Sequence, residues 1–259
     1  MCTLAHSLTF TSEIALDLPE SAIDAFKKAV WRTIEENPEA LTPHILSHAN
    51  ALRRIAGRGV ECRTVFDVGA SDGRWTSIAR DVWPEARYHL IEAFQYWERD
   101  LAAFCKEDLR LSFTLAAAGE YDGTTAFFNS VEEPFGGSAM PSDGEPQWTV
   151  PQVAIDREAE RLGLTGPFLI KLDTHGTERE ILAGAEKTLE QTNVLVIEMY
   201  NFGNDARRFP AMCQHVESLG FHCIDIGEPM FRDRDRAFWQ IDFFFIRKDR
   251  PEAQCGDFT

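Results

Sequence analysis

Val65-Phe66-Asp67-Val68-Gly69-Ala70-Ser71-Asp72-Gly73-Arg74-Trp75 reads as a short apolar strand that enters a glycine-containing turn and leaves it as a helix. Gly69 and Gly73 let the backbone come close to a ligand, and the first turn of the helix carries amide N–H groups with no partner inside the helix. The carboxyl end of such a strand opens onto the ligand crevice of an open α/β sheet.

Outward from this segment the same alternation repeats. Apolar, β-rich runs stand at residues 64–68, 88–91, 111–115, 168–172, 194–197, 221–226 and 241–246, separated by amphipathic stretches. In one of these, Ile181, Leu182, Ala185 and Leu189 recur on a single helical face behind Thr177-Glu178. The alternation predicts an α/β fold, a doubly wound and mostly parallel seven-stranded sheet with helices on both faces. Between the last two runs lies a polar stretch with Gly227 and Pro229 and little helical pattern, so the final strand is expected to be antiparallel. Before Gly57-Arg58-Gly59 the periodicity is helical alone, over 21–36 (Ile23, Phe26, Ala29, Val30, Ile34, with Ser21 as a cap) and over 43–56. Residues 1–59 therefore read as an N-terminal helical extension or cap, and residues 60–259 as the main domain. The two helices suit three uses: covering the sheet, closing over a ligand, or pairing with a second copy of the chain.

With 26 Lys and Arg against 42 Asp and Glu, the 259-residue chain carries a formal charge of −16, a field that repels phosphate backbones and anionic lipid surfaces. Nucleic acid and membrane are thus unexpected partners. The basic groups Arg53-Arg54, Arg207-Arg208 and Arg232, Arg234, Arg236 are short, and the last alternates with Asp233 and Asp235. Six cysteines without a CxxC pair suggest reduced thiols, and the N-terminal sequence shows neither the basic region nor the apolar core of a secretory signal, so a cytoplasmic location is expected.

The turn after the first strand lacks the GxGxxG of a dinucleotide site: Ala70-Ser71 follow Gly69, and Asp67 precedes it. An acidic residue there suits a cationic ligand better than a diphosphate. S-adenosyl-L-methionine has an ammonium and a sulfonium centre, and Asp67 is matched to the ammonium; the alternative is that Asp67 and Asp72 only satisfy turn and helix-start amides. Glu92, followed by Ala93 and Phe94, stands 19 residues after Gly73, where a carboxylate accepts hydrogen bonds from ribose hydroxyls. That spacing is shared with NAD enzymes.

The run Ile170-Lys171-Leu172-Asp173-Thr174-His175-Gly176-Thr177-Glu178, followed by Ile181-Leu182-Ala183-Gly184-Ala185, resembles the FkbM family of methyltransferases. The likeness takes in Leu90 to Phe94, Asp156, Val196-Ile197-Glu198 and Trp239 to Ile246, and spans roughly residues 60 to 249. It implies a Rossmann-like class I methyltransferase fold and methyl transfer from S-adenosyl-L-methionine, leaving S-adenosyl-L-homocysteine, commonly onto a hydroxyl of a sugar, polyketide or peptide. The expected function is O-methylation of a small molecule.

On the acceptor side, Asp173 and His175 follow the fourth strand. His175 is a candidate general base, its ordinary pKa near ~6.5 suiting proton acceptance; its alternative use is to orient the turn. Asp173 is read as a catalytic or cofactor-binding residue. Asp173 and Glu198 are paired carboxylates able to hold a hard cation, but two carboxylates alone point weakly to metal, and none is predicted. Residues 134–140 (Pro-Phe-Gly-Gly-Ser-Ala-Met) suggest a loop over the cofactor with Ser138 turned toward the site, and Asp242, within an apolar strand, needs a buried partner. Three rivals stay open: N-methylation, an NAD-dependent oxidoreductase, and a non-catalytic adenosylmethionine-binding scaffold.

Overall fold

The computed structural model describes residues 46–132, 134–140, 146–202 and 208–253. The expected helix over 21–36, with its suggested part in self-association, lies outside them, as do Cys2, Arg207 and Cys255.

The described chain begins with helix α1 (His48–Gly57), capped by Ser47, whose Oγ accepts the Asn50 N–H at 3.3 Å. Strands β1 (Thr64–Val68), β2 (Arg87–Glu92) and β3 (Leu111–Leu115) follow, with helices α2 (Arg74–Arg80) and α3 (Glu98–Cys105) between them. Next come three short strands, β4 (Ala117–Ala118), β5 (Gly123–Phe127) and β6 (Trp148–Val153), then helix α4 (Ile155–Leu162) and β7 (Phe168–Leu172). The remainder is α5 (Glu178–Ala183), α6 (Glu186–Leu189), β8 (Thr192–Tyr200), α7 (Phe209–Ser218), β9 (Phe221–Phe231) and β10 (Phe238–Arg247).

Seven strands form one sheet in the order β3-β2-β1-β7-β8-β10-β9. All run parallel except β10, which is antiparallel to both of its neighbours, as expected; the polar stretch with Gly227 and Pro229, read from the sequence as the connection, is instead the end of β9, and residues 232–237 make the turn. β4, β6 and β5 make a separate three-stranded sheet that the sequence reading did not foresee. β1, β7 and β8 are buried along their whole length, which is why they read as nearly continuous apolar runs.

Two core layers cover the sheet. Val65, Leu169, Val194, Val196, Phe244 and Ile246 face one layer, into which α1 to α3 pack Leu52, Ile55, Trp75, Ala79 and Leu101. Phe66, Val68, Ile170, Leu172, Leu195 and Ile197 face the other, filled by α4 to α7. Each fully buried Leu, Ile or Phe contributes roughly 1.5–3 kcal/mol. α1 thus takes the first of the three uses open to it, covering the sheet, where Arg54 pairs through two bonds with Asp225 of β9. No helix among the described residues is long and apolar enough to cross a membrane.

The period-2 alternation of a strand then places the charges. Asp67 shares the phase of Val65, Lys171 that of Leu169, Glu198 that of Val194 and Val196, and Asp242 that of Phe244 and Ile246. All four therefore emerge on the α1–α3 face, at or next to the carboxyl ends of the parallel strands, with Asp67 opposite Lys171 and Asp242 opposite Glu198 in register.

Candidate active site

A cavity of about 490 Å³ opens where strand order reverses between β1 and β7, a size within the range of small-molecule sites. Of the residues expected at a site, Gly69, Ala70, Ser71, Glu92, Ala93, Asp173 and His175 line it. Asp67, Gly73, Phe94 and Ser138, also expected there, do not line it.

On the β1–β2 side, Gly69 adopts a left-handed φ of 77°, and a Cβ there would sit 1.9 Å from the Asp173 carbonyl oxygen. Only glycine fits, because the turn passes directly against the end of β7. Glu92 is held from two sides: Oε2 accepts the Ser71 N–H at 2.8 Å and Oε1 the Phe94 N–H at 2.7 Å. Burial pushes its carboxyl above the ordinary range, partly offset by these two bonds and by Lys171. Glu92 lines the cavity.

Asp67, expected to meet an ammonium ion, is fully buried instead. Oδ2 accepts the Thr76 hydroxyl at 2.7 Å, and Oδ1 lies 3.2 Å from Lys171 Nζ, so the cation it serves is the protein's own. For Asp72 the structure shows the alternative reading, a carboxylate that satisfies a helix-start amide. Arg74 N–H donates to Asp72 Oδ1 and Ser71 N–H to Glu92, so these two amides of the turn hold carboxylates. Gly73 caps α2 with φ 82° against the Phe104 ring. Phe94 packs on Tyr96, Phe127 and Trp148 and is not in the lining.

On the β7–β8 side, Lys171 is the hub. Its Nζ lies 3.1 Å from Asp173 Oδ2, donates to the Gly69 carbonyl at 3.2 Å, and sits 5.7 Å from the centre of the Trp75 ring. Burial works against its charge, but Asp173 and Asp67 outweigh burial and hold the ammonium pKa above its usual range. Burial alone would raise Asp173, yet Lys171 and His175 keep it below the usual carboxylate range. Its side chain keeps 35 % exposure, toward the cavity.

His175 has φ 57° and is clamped by the 134–140 loop. Its Nδ1 lies 2.8 Å from the Gly137 carbonyl oxygen, and the Ser138 hydroxyl donates to the His175 carbonyl at 3.0 Å. A carbonyl only accepts, so Nδ1 bears the hydrogen and the neutral ring keeps its lone pair on Nε2. Ser138, expected to face the site, instead fastens the loop to the His175 turn. Glu198 accepts from the Tyr200 hydroxyl and from Gln240 Nε2, and burial with neighbouring Asp173 and Asp242 pushes its carboxyl up to about 9. Asp242 finds its partner in His48, whose Nε2 is 2.9 Å from Asp242 Oδ2.

Lys171, His48 and Gln240 line the cavity and Tyr200 donates to Glu198, and none of the four was given a role from the sequence. Lys171 had a signal, a charge inside the otherwise apolar Phe168–Leu172 run. His48 had none, since its partner is 194 positions away and one histidine in an amphipathic helix is unremarkable.

The model of the methyltransferase FkbM domain matches residues 67–223. Among solved structures, the chain is similar to a methyltransferase FkbM from Methylobacillus flagellatus KT, with 17% identity, 78% of this chain and 49% of that one covered, and a TM-score of 0.48. It is also similar to the 1,6-didemethyltoxoflavin-N1-methyltransferase of Burkholderia thailandensis, solved with 1,6-didemethyltoxoflavin and S-adenosylhomocysteine (12% identity, 90% and 91% covered, TM-score 0.44). A third is the Methanococcus jannaschii fibrillarin pre-rRNA processing protein (15% identity, 73% and 67% covered, TM-score 0.46). The chain spans about half the length of the first of these structures. No curated protein matches the sequence.

Proposed function

Because the matched segment exceeds half of its length, the chain belongs to the FkbM methyltransferase family, and from that premise we propose that it methylates a hydroxyl oxygen of a small molecule using S-adenosyl-L-methionine. One observation carries this reading: a single cavity joins an oriented Glu92 carboxylate and the close Gly69 turn on one side to the Asp173–His175 pair on the other. When bound, the cofactor supplies a methyl carbon activated by its sulfonium.

The chain's own residues do the rest. Glu92, fixed by the Ser71 and Phe94 amides, accepts the ribose hydroxyls. Gly69 lets the backbone stand close to the cofactor's amino-acid end, and Asp67 acts there through Lys171. In this reading His175 Nε2 takes the acceptor's proton, which the Gly137 carbonyl's hold on Nδ1 supports, while Asp173 holds the acceptor oxygen. Alignment in the enclosed cavity supplies the remaining advantage, since an in-line displacement depends on the approach of its two reacting atoms. The formal charge of −16 favours a neutral or cationic acceptor over nucleic acid.

Calorimetry with S-adenosylhomocysteine tests the reading. Micromolar binding is expected, weakened at least ~tenfold, or ~1.4 kcal/mol, by Glu92→Ala. Absence of binding, with NADH binding in its place, would overturn it in favour of an oxidoreductase. Once binding is established, hydroxyl and amine acceptors tested side by side separate O- from N-methylation.

A further inference from the structure

The sequence shows two carboxylates at adjacent strand ends, and the fold adds an imidazole to them. Asp173, His175 and Glu198 each offer one ligand atom, all within 4.8 Å of one another. His175 Nε2 lies 3.5 Å from Asp173 Oδ1 and 3.6 Å from Glu198 Oε2. Ligands at about 2.1 Å from a common ion stand roughly 3 to 3.5 Å apart, so closing these atoms onto one requires only small movements.

The surroundings are those that orient metal ligands. His175 gives its other nitrogen to the Gly137 carbonyl, Asp173 gives its other oxygen to Lys171, and Glu198 gives its other oxygen to Gln240 while Oε2, the one offered to the ion, also accepts the Tyr200 hydroxyl. Both Asp173 and His175 keep part of their surface open, with 35 % and 29 % side-chain exposure, and all three residues line the cavity. A three-ligand site open on one side is the arrangement of a catalytic rather than a structural ion.

We propose that Asp173, His175 and Glu198 bind one divalent first-row cation at the acceptor end of the cavity, its open positions turned toward the acceptor's oxygens. One imidazole with two carboxylates suits Mn²⁺, Fe²⁺ or Zn²⁺ better than an ion that takes oxygen alone or one that takes thiolate. Such an ion selects an acceptor with two neighbouring oxygens able to chelate it. This rests on the methyl-transfer reading and revises two parts of it: a lone pair on His175 Nε2 cannot hold a cation and accept a proton at once, and with Asp173 committed to the ion and to Lys171 the ion, not Asp173, holds the acceptor oxygen.

The test uses the full chain freed of metal by EDTA dialysis, titrated with MnCl₂ by calorimetry and by electron spin resonance, with S-adenosylhomocysteine titrated in parallel. One Mn²⁺ per chain is expected, bound at least ~tenfold more weakly by Glu198→Gln and by His175→Asn. Asparagine is chosen for the second variant because it tolerates the left-handed backbone at that position. Nitrogen coupling to the Mn²⁺ signal should vanish in His175→Asn while both variants still bind S-adenosylhomocysteine. A chain that binds S-adenosylhomocysteine but no Mn²⁺, or variants that bind Mn²⁺ as tightly as the parent, would overturn the cation site and leave His175 as the proton acceptor. Mn²⁺ binding that follows the variants, without S-adenosylhomocysteine binding, would support the cation site and remove the methyl-transfer reading.

Discussion

Lys171 ties the two halves of the cavity together. Its ammonium lies within 3.2 Å of Asp67, Asp173 and the Gly69 carbonyl, so it links the first strand's turn to the acceptor side. Removing one partner of a buried ion cluster leaves uncompensated charge, which typically costs about 3–5 kcal/mol. Lys171→Met is therefore expected to lose stability on that scale in urea unfolding, since its two carboxylates are left facing each other. A loss below about 1 kcal/mol would mean that water reaches the cluster. Asp67 illustrates the limit of local reading: an acidic residue before a glycine turn looks the same whether it meets a ligand or an internal lysine. The lysine lies in another strand and becomes its neighbour only through sheet register.

Among the elements, α4 shows how a helix in the structural half is fastened. Its buried Glu158 has Oε2 3.0 Å from His89 Nε2 of β2, and it accepts from the Thr114 hydroxyl of β3 at 2.8 Å and from Arg161 at 2.7 Å. Burial opposes the charge, but His89, Arg161 and Thr114 prevail and bring the carboxyl down to about 2. A carboxyl whose folded pKa lies below the ordinary ~4.3 stabilises fully above that value, and the stabilisation fades as pH falls toward the folded pKa. Thermal melts of the parent and of Glu158→Gln should therefore converge between about pH 4.5 and pH 2, the parent losing more with each step. Parallel curves would show that Glu158 is not the linked group. Asp156, one residue into the same helix, accepts the Lys187 and Thr188 amides and the Thr188 hydroxyl, so its place in the family resemblance is explained by capping α6 rather than by chemistry.

At the level of the whole molecule, a ligand bound only by the folded state raises stability by mass action. S-adenosylhomocysteine at about a hundred times its dissociation constant should add ~2.7 kcal/mol, or roughly 5–10 °C in melting temperature for a chain of this size. NADH should leave the melting temperature unchanged, and a shift with NADH alone would return the dinucleotide reading.

The seven-stranded sheet and its antiparallel last strand were legible because helix and strand periodicities are local and because β1, β7 and β8 are buried on both faces. The small β4-β6-β5 sheet was not, since β4 has two residues and β6, largely exposed, carries Pro151 in place of an apolar pattern. Glu92 was legible from its spacing to Gly73. The Asp173–Glu198 pair was legible too, but the approach of His175 to Glu198, the Lys171 hub and the His48–Asp242 pair were not. By itself, then, the sequence determined the strands of the main sheet and the helices between them, the glycine turn at the end of β1 and the family's motif, all of which rest on residues close together along the chain. Only the tertiary structure decided which charges meet, because contacts between distant strands depend on register and on the shared phase of side chains across the sheet, which no local pattern encodes.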